Sequence, residues 1–300
     1  HGDYPKSPTE QTEYPKRRLF TEIAEVIRES GRSIPVFSDK HLSNNWEDAK
    51  WIYDTARELR IPLMAGSSLP VAWREPPTDV KHGAKLKQIV GVSYGRLDGY
   101  GFHGVEMLQC LAERRAGGEI GVAQVQCYTG DAVWQAGEDG VYDQQLLDET
   151  LSRLTIRRWE QRKKTVREVV KEPVLFVTDY RDGLRTCLFT LNGAVAEWAA
   201  AWRYAEDDAT DSTLFKVQED RPFGHFSLLL MGVEKMMQTG RPAWPVERTL
   251  LTSGILDAAL TSRMKSGERL PTPWLDVKYQ SEWNWRQPPP PPPGRSSREQ

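Results

Sequence analysis

A chain of 300 residues with 39% hydrophobic and 27% charged residues has the composition of a globular protein with a sizeable core, either one large domain or two ordinary ones. Its net charge of −2 excludes the basic footprint of nucleic-acid or anionic-membrane binding, and no apolar run approaches the ~20 residues that span a bilayer. The three cysteines fit no metal or redox spacing and are expected as buried free thiols in a reducing compartment. The chain opens at His1 without a signal peptide, so a processed or partial chain is expected, with the cytoplasm as default location.

Residues 1–15 are rich in Pro, Thr, Glu and Tyr and read as a loop. Residues 16–30 place Leu19, Ile23, Val26 and Ile27 on one helical face, with Gly31 as the stop. The run 34–38 predicts a buried strand, 46–59 an amphipathic helix, and 61–66 a second strand ending in glycine. Helix, strand, helix, strand at this spacing implies a parallel layer. After Pro76-Pro77 the texture changes. Strands are predicted at 86–94, 121–129, 173–180 and 184–191, the last two joined by a hairpin at Tyr180-Arg-Asp-Gly183. Helices are predicted at about Gly104–Arg115, Gln144–Val166, 225–239 and 247–266. Consecutive strands imply an antiparallel sheet with helices on one face. The expected organisation is therefore a partial parallel layer over 1–75, an α+β unit over 76–286, and an unfolded proline-rich tail over 287–300.

Three segments could carry chemistry. Gly99-Tyr-Gly-Phe-His-Gly104 matches the dinucleotide pattern G-x-G-x-x-G in letters. Arg96-Leu97-Asp98, however, separates it from its strand, and Tyr100 and Phe102 stand where backbone must approach a pyrophosphate. Asp39-Lys40-His41 directly follows a strand of the parallel layer, where ligands bind in open α/β sheets, and Lys40 there can hold a hydroxyl or phosphate oxygen. A solvated turn lysine is the plain alternative. His103 and Glu106 share a helical face near a helix start, which suits general-base work; a hydrogen-bonded structural histidine is the alternative, and no third ligand supports a metal.

Taken in order, these segments resemble the glucose–fructose oxidoreductase / inositol dehydrogenase family. IPVFSDKHLSNNWEDAKWIYDTARELRIPLMAGSS is similar to that family's strand, Glu-Lys-Pro-Leu, helix, strand segment. Tyr100–Glu106 resembles its Asp-x-Gly-x-His-x-x-Asp helix start, and PVERTLLTSGILDAALTSRMKSGERLPTP its closing helix. The resemblance covers about residues 16–275 and implies a Rossmann-like layer followed by a large, mostly antiparallel open sheet. It also implies a dehydrogenase acting on a sugar or cyclitol hydroxyl as a homo-oligomer, with no nucleic-acid or membrane partner. NAD or NADP would serve the full-length protein, with none bound by this chain alone, because the family's fingerprint would lie before His1. By resemblance Lys40, His103 and Glu106 are catalytic, Asp39, Lys40 and His41 contact cofactor, and Tyr94 and Asp98 contact substrate. The sequence departs from the family at Asp39, His41, Gly99 and Glu106. Two alternatives stay open: a non-catalytic relative whose sheet serves binding or assembly, and a polyol-binding module without cofactor that uses its tryptophans for stacking.

Overall fold

The computed structural model describes residues 3–294. Helix α1 (Lys16–Ser30) ends at Gly31, whose left-handed φ of 64° closes the last turn onto Ile27 O. The helix buries Phe20, Ala24 and Ile27, whereas the neighbouring stripe position Val26 is exposed. Two apolar stripes compete on this helix, and the contact with α2 (Trp46–Glu58) decides between them: Phe20 meets Trp51 edge-on, and the Arg17 guanidinium lies 4.6 Å over the same indole. Strands β1 (Val36–Asp39) and β2 (Leu63–Gly66) pair in parallel, with Val36 opposite Leu63 and Asp39 opposite Gly66. Their carboxyl ends therefore lie side by side.

The short strand β3 (Trp73–Glu75) pairs with the second sheet, so the change of sheet falls between Gly66 and Trp73 rather than at Pro76-Pro77. Then follow β4 (Leu86–Ser93), α3 (Gly99–Ala112), β5 (Val122–Thr129), α4 (Asp131–Glu138), α5 (Gln144–Ser152), α6 (Arg158–Gln161) and α7 (Val166–Val169). The rest of the chain forms β6 (Val174–Tyr180), β7 (Arg185–Thr190), β8 (Trp198–Tyr204), β9 (Thr210–Lys216), α8 (Gly224–Thr239), α9 (Val246–Met264) and β10 (Leu270–Pro271). Eight of these strands form one sheet in the order β10-β5-β6-β7-β4-β8-β9-β3, antiparallel throughout except for β4 beside β7. The fold is the expected mixture of a small parallel layer and a large, mostly antiparallel sheet. Helices cover both faces of that sheet rather than one: α3 and α9 pack on one side with Ile89, Phe176 and Leu188, and α4 and α5 on the other with Val90, Val92 and Phe189. The single helix expected over Gln144–Val166 is three short ones, each with its own start; Asp143 caps α5 and Thr165 forms a capping box with Glu168 on α7.

The G-x-G-x-x-G letters lie at the start of α3, which begins before the expected Gly104, and two of the glycines there serve packing. A Cβ on Gly104 would come 2.6 Å from Leu188, and one on Gly101 would touch Phe176 and Leu256. Small residues here let the helix lie close to the sheet. Cys110, Cys127 and Cys187 are free and buried, and burial raises all three thiol pKa values. No described helix is long and apolar enough to cross a membrane. The first part of the expected tail is ordered against β3: Trp73 Nε1 donates to Pro289 O at 2.6 Å, Arg74 N to Gln287 Oε1 at 3.1 Å, and Gln218 Nε2 to Pro292 O at 2.7 Å. Residues 295–300 of that stretch lie outside the described residues.

A buried ion pair fastens α9 to the end of α3. Arg248 reaches Glu113 in bidentate fashion at 2.8 and 2.5 Å, and Tyr279 Oη donates to the same carboxylate at 2.9 Å. Arg248→Met strands a buried carboxylate and is expected to cost roughly 3–5 kcal/mol in urea unfolding, while Arg248→Met combined with Glu113→Leu recovers most of that loss.

Candidate active site

The geometry of the site follows from the end of β2. Gly66 has φ 125°, and a Cβ there would sit 2.8 Å from Glu106 Oε2 and 3.0 Å from Thr249 Oγ1, so only glycine fits. Its carbonyl accepts the backbone N–H of Lys40 at 3.1 Å. The next residue, Ser67, places its Oγ 2.6 Å from His103 Nδ1. Two successive residues of one strand end thus bring together Lys40, which follows β1, and His103, which lies on α3. Lys40 itself is held at φ 65°, and its ammonium contacts the Asp39 carboxylate at 2.6 Å, both groups reaching solvent.

His103 is largely enclosed. Tyr100, Phe102 and Trp198 surround its ring edge-on at centroid distances of 6.3, 5.8 and 6.2 Å, and Tyr94 packs on Tyr100 and Trp198 at 5.1 and 5.2 Å. Burial, and secondarily the positive charge of Lys40, hold its pKa down to about 4. Its Nε2 has no protein partner among the described residues and is not sealed from solvent. Beside the imidazole stand an aromatic wall and the Lys40 ammonium, close enough for its charge to act on the ring.

The other expected site residues go elsewhere. Glu106 is fully buried and turns neither oxygen to the cleft: Thr249 and Thr252 hydroxyls donate to Oε1 at 2.7 and 2.9 Å, and Ser67 N to Oε2 at 3.3 Å. It braces the site and is not placed to move a proton on a ligand. The His41 ring is buried between Tyr14 and Phe102, and burial lowers its pKa to about 3. Asp98 Oδ2 accepts Thr12 N and Oγ1 at 3.0 and 2.8 Å and pairs with Lys6, anchoring residues 6–12. Tyr94 stays on the rim, its hydroxyl 3.4 Å from Glu219. A separate cavity of about 1000 Å³ is lined by Lys6, Arg96, Asp98 and Arg263, and by neither Lys40 nor His103.

Sequence reasoning missed Ser67 and Lys16. Lys16 opens α1 and donates to Ser38 Oγ at 3.1 Å, to Asp39 O at 2.6 Å and to His41 O, shaping the turn that presents Lys40. Burial lowers its pKa to about 8. The available signal for Ser67 was its place directly after a parallel strand; Lys16, the first residue of a surface-type helix, gave none.

Both depressed histidines make folding oppose protonation. The unfolded chain takes up these protons near the ordinary histidine pKa of 6.5, and the folded chain only near 4 and 3. Stability is therefore expected to fall as the pH drops below 6.5, each histidine adding up to about 1.4 kcal/mol per pH unit. Urea unfolding at pH 7.5, 6 and 5 checks this: His41→Gln and His103→Gln should each flatten the profile, and an unchanged profile in both would contradict the burial-driven shifts.

No family model matches the sequence, and comparison with curated proteins finds no match. Solved structures do match. GenD2 from gentamicin A biosynthesis, in complex with NAD, superposes with a TM-score of 0.52 at 14% identity, covering 84% of this chain and 75% of that one. A myo-inositol dehydrogenase from Corynebacterium glutamicum superposes with a TM-score of 0.50 at 9% identity, covering 86% and 78%. At such identities the likeness is one of architecture: this chain has the fold of dehydrogenases of the inositol dehydrogenase type.

Proposed function

We propose that the protein is a nicotinamide-dependent oxidoreductase of the glucose–fructose oxidoreductase / inositol dehydrogenase kind, acting on a hydroxyl, or the matching carbonyl, of a sugar or cyclitol. What supports this reading is the Gly66–Ser67 step: Gly66 O receives Lys40 N and Ser67 Oγ meets His103 Nδ1, although 62 residues separate Lys40 from His103 in the chain. Lys40 is the catalytic cation, steadying negative charge on the substrate oxygen, and His103 is the second catalytic residue at that oxygen. Asp39 holds the Lys40 ammonium, and Tyr94 with Trp198 forms the apolar wall for the ring. A nicotinamide cofactor held there would supply or accept the hydride.

The fit to such a cofactor is uneven. The carboxyl ends of β1 and β2 suit its reacting end. Its pyrophosphate finds no cradle among the described residues: the N-terminus of α2 is filled by the Asn45 cap and Asp257 and carries Glu47 and Asp48 in its first turn, and Gly101 and Gly104 of α3 are spent on packing. That observation favours a second reading, a non-catalytic relative, and predicts that this chain binds NADH more weakly than micromolar.

Fluorescence titration with NADH tests the second reading, and micromolar binding would remove its basis. Assay with saturating NADH or NAD and a panel of sugars, cyclitols and their ketones tests the first. His103→Gln is expected to lower turnover by about a hundredfold or more with the fold retained, and turnover that survives the substitution undiminished removes His103 from the chemistry.

A further inference from the structure

The Ser67 hydroxyl has one proton to give and its contacts decide where it goes. Leu69 N donates to Ser67 Oγ at 3.0 Å, and a backbone N–H can only donate. His103 Nδ1 lies 2.6 Å from the same oxygen, and among the described residues no other acceptor takes the hydroxyl proton. Ser67 is buried, at 3% exposure, and Leu69 behind it equally so. Were Nδ1 to carry the imidazole proton, Oγ would accept two N–H groups and its own proton would be left buried without a partner, at a cost of about 1–3 kcal/mol. Were the hydroxyl to donate to Nδ1, every group would be satisfied.

We propose that Ser67 is a positioning residue that holds neutral His103 in the tautomer with its proton on Nε2, so that the imidazole presents an N–H donor to the cleft rather than a lone pair. Lys40, whose charge acts on His103, also has only protons to offer. Of the carboxylates nearby, Asp39 is engaged by the Lys40 ammonium at 2.6 Å, and Glu219 on the rim accepts from the Tyr94 hydroxyl at 3.4 Å. A hydroxyl brings a proton that needs an acceptor; a carbonyl oxygen brings two lone pairs that need donors. The cleft is accordingly matched to the carbonyl form of the substrate, a ketone of a sugar or cyclitol. This second step rests on the substrate class proposed above, whereas the tautomer does not.

Neither part needs a bound cofactor to be tested. In protein labelled with ¹⁵N-histidine at pH 7.5, a two-bond ¹H–¹⁵N correlation distinguishes the ring nitrogens, and the His103 signals are those missing from His103→Gln. The expected spectrum has Nδ1 in the unprotonated range and Nε2 in the protonated range. Ser67→Ala should mix the two tautomers, and Ser67→Thr, which keeps a hydroxyl, should restore the wild-type pattern. A wild-type Nδ1 in the protonated range overturns the proposal with no variant needed; an unaltered pattern in Ser67→Ala removes Ser67 as its cause. Titration with myo-inositol and with 2-keto-myo-inositol then reads the second step. The ketone should shift the Nε2 signal at about one-tenth the concentration the alcohol requires, one satisfied hydrogen bond being worth about that factor. Equal or reversed potency overturns the carbonyl preference. A silent Nε2 with both probes, alongside the expected tautomer, counts against the proposed substrate class and leaves the role of Ser67 intact.

Discussion

A carboxylate removed from water has to be surrounded by donors, and the demand of Glu106 for them organises this molecule. Three elements meet at it. Thr249 and Thr252 arrive from α9, Ser67 N from the end of β2, and the carboxylate itself from α3. Burial pushes its pKa up, and the nearby Arg248 charge with these hydrogen bonds opposes that shift. Satisfying one group therefore locks the small parallel layer, the first helix of the large sheet and the long closing helix into a single arrangement. The backbone of Gly66 has to pass within contact of the carboxylate, which is why β2 ends in a residue without a side chain. The cleft is a by-product of this brace. Once Ser67 N is fixed on Glu106, its hydroxyl faces His103, and once Gly66 O is fixed, it receives Lys40.

Elements with strong periodicity were legible in the amino-acid sequence: α1, α2, α8 and α9, the parallel pair, and the β6–β7 hairpin all lie close to their expected positions. What escaped has specific causes. Strand β8 contains Ala199, Ala200 and Ala201, which local preference does not assign to a strand, yet all are buried in the middle of the sheet. Strand β3 has three residues and exists only because β9 pairs with it. The break of one expected helix into α5, α6 and α7 depends on caps at Asp143 and Thr165, residues equally at home inside a charged surface helix.

The candidate site was legible only in part. Lys40 and His103 could be singled out because each sits at a strand or helix end where backbone geometry favours ligands. Asp98, Glu106 and His41 have the same residue types and comparable positions, but their partners are set by segments far away: Thr12 for Asp98, Thr249 for Glu106, Tyr14 for His41. A polar side chain states what it can bind; only the fold states what it meets. The same holds for Ser67, whose significance lies wholly in the imidazole placed against it.

Proline sets the lateral limits of the large sheet. At one edge β10 is two residues long and ends in Pro271; at the other, β3 is covered by residues 287–294, whose run of prolines lacks N–H groups. Arg74 N, which would otherwise face outward, is taken by the Gln287 side chain rather than by another backbone. An added strand would find too few donors on either side to continue the ladder. An eight-stranded sheet left open in this way would ordinarily invite edge-to-edge aggregation, and here prolines without an N–H at both margins oppose that growth without the sheet having to close into a barrel.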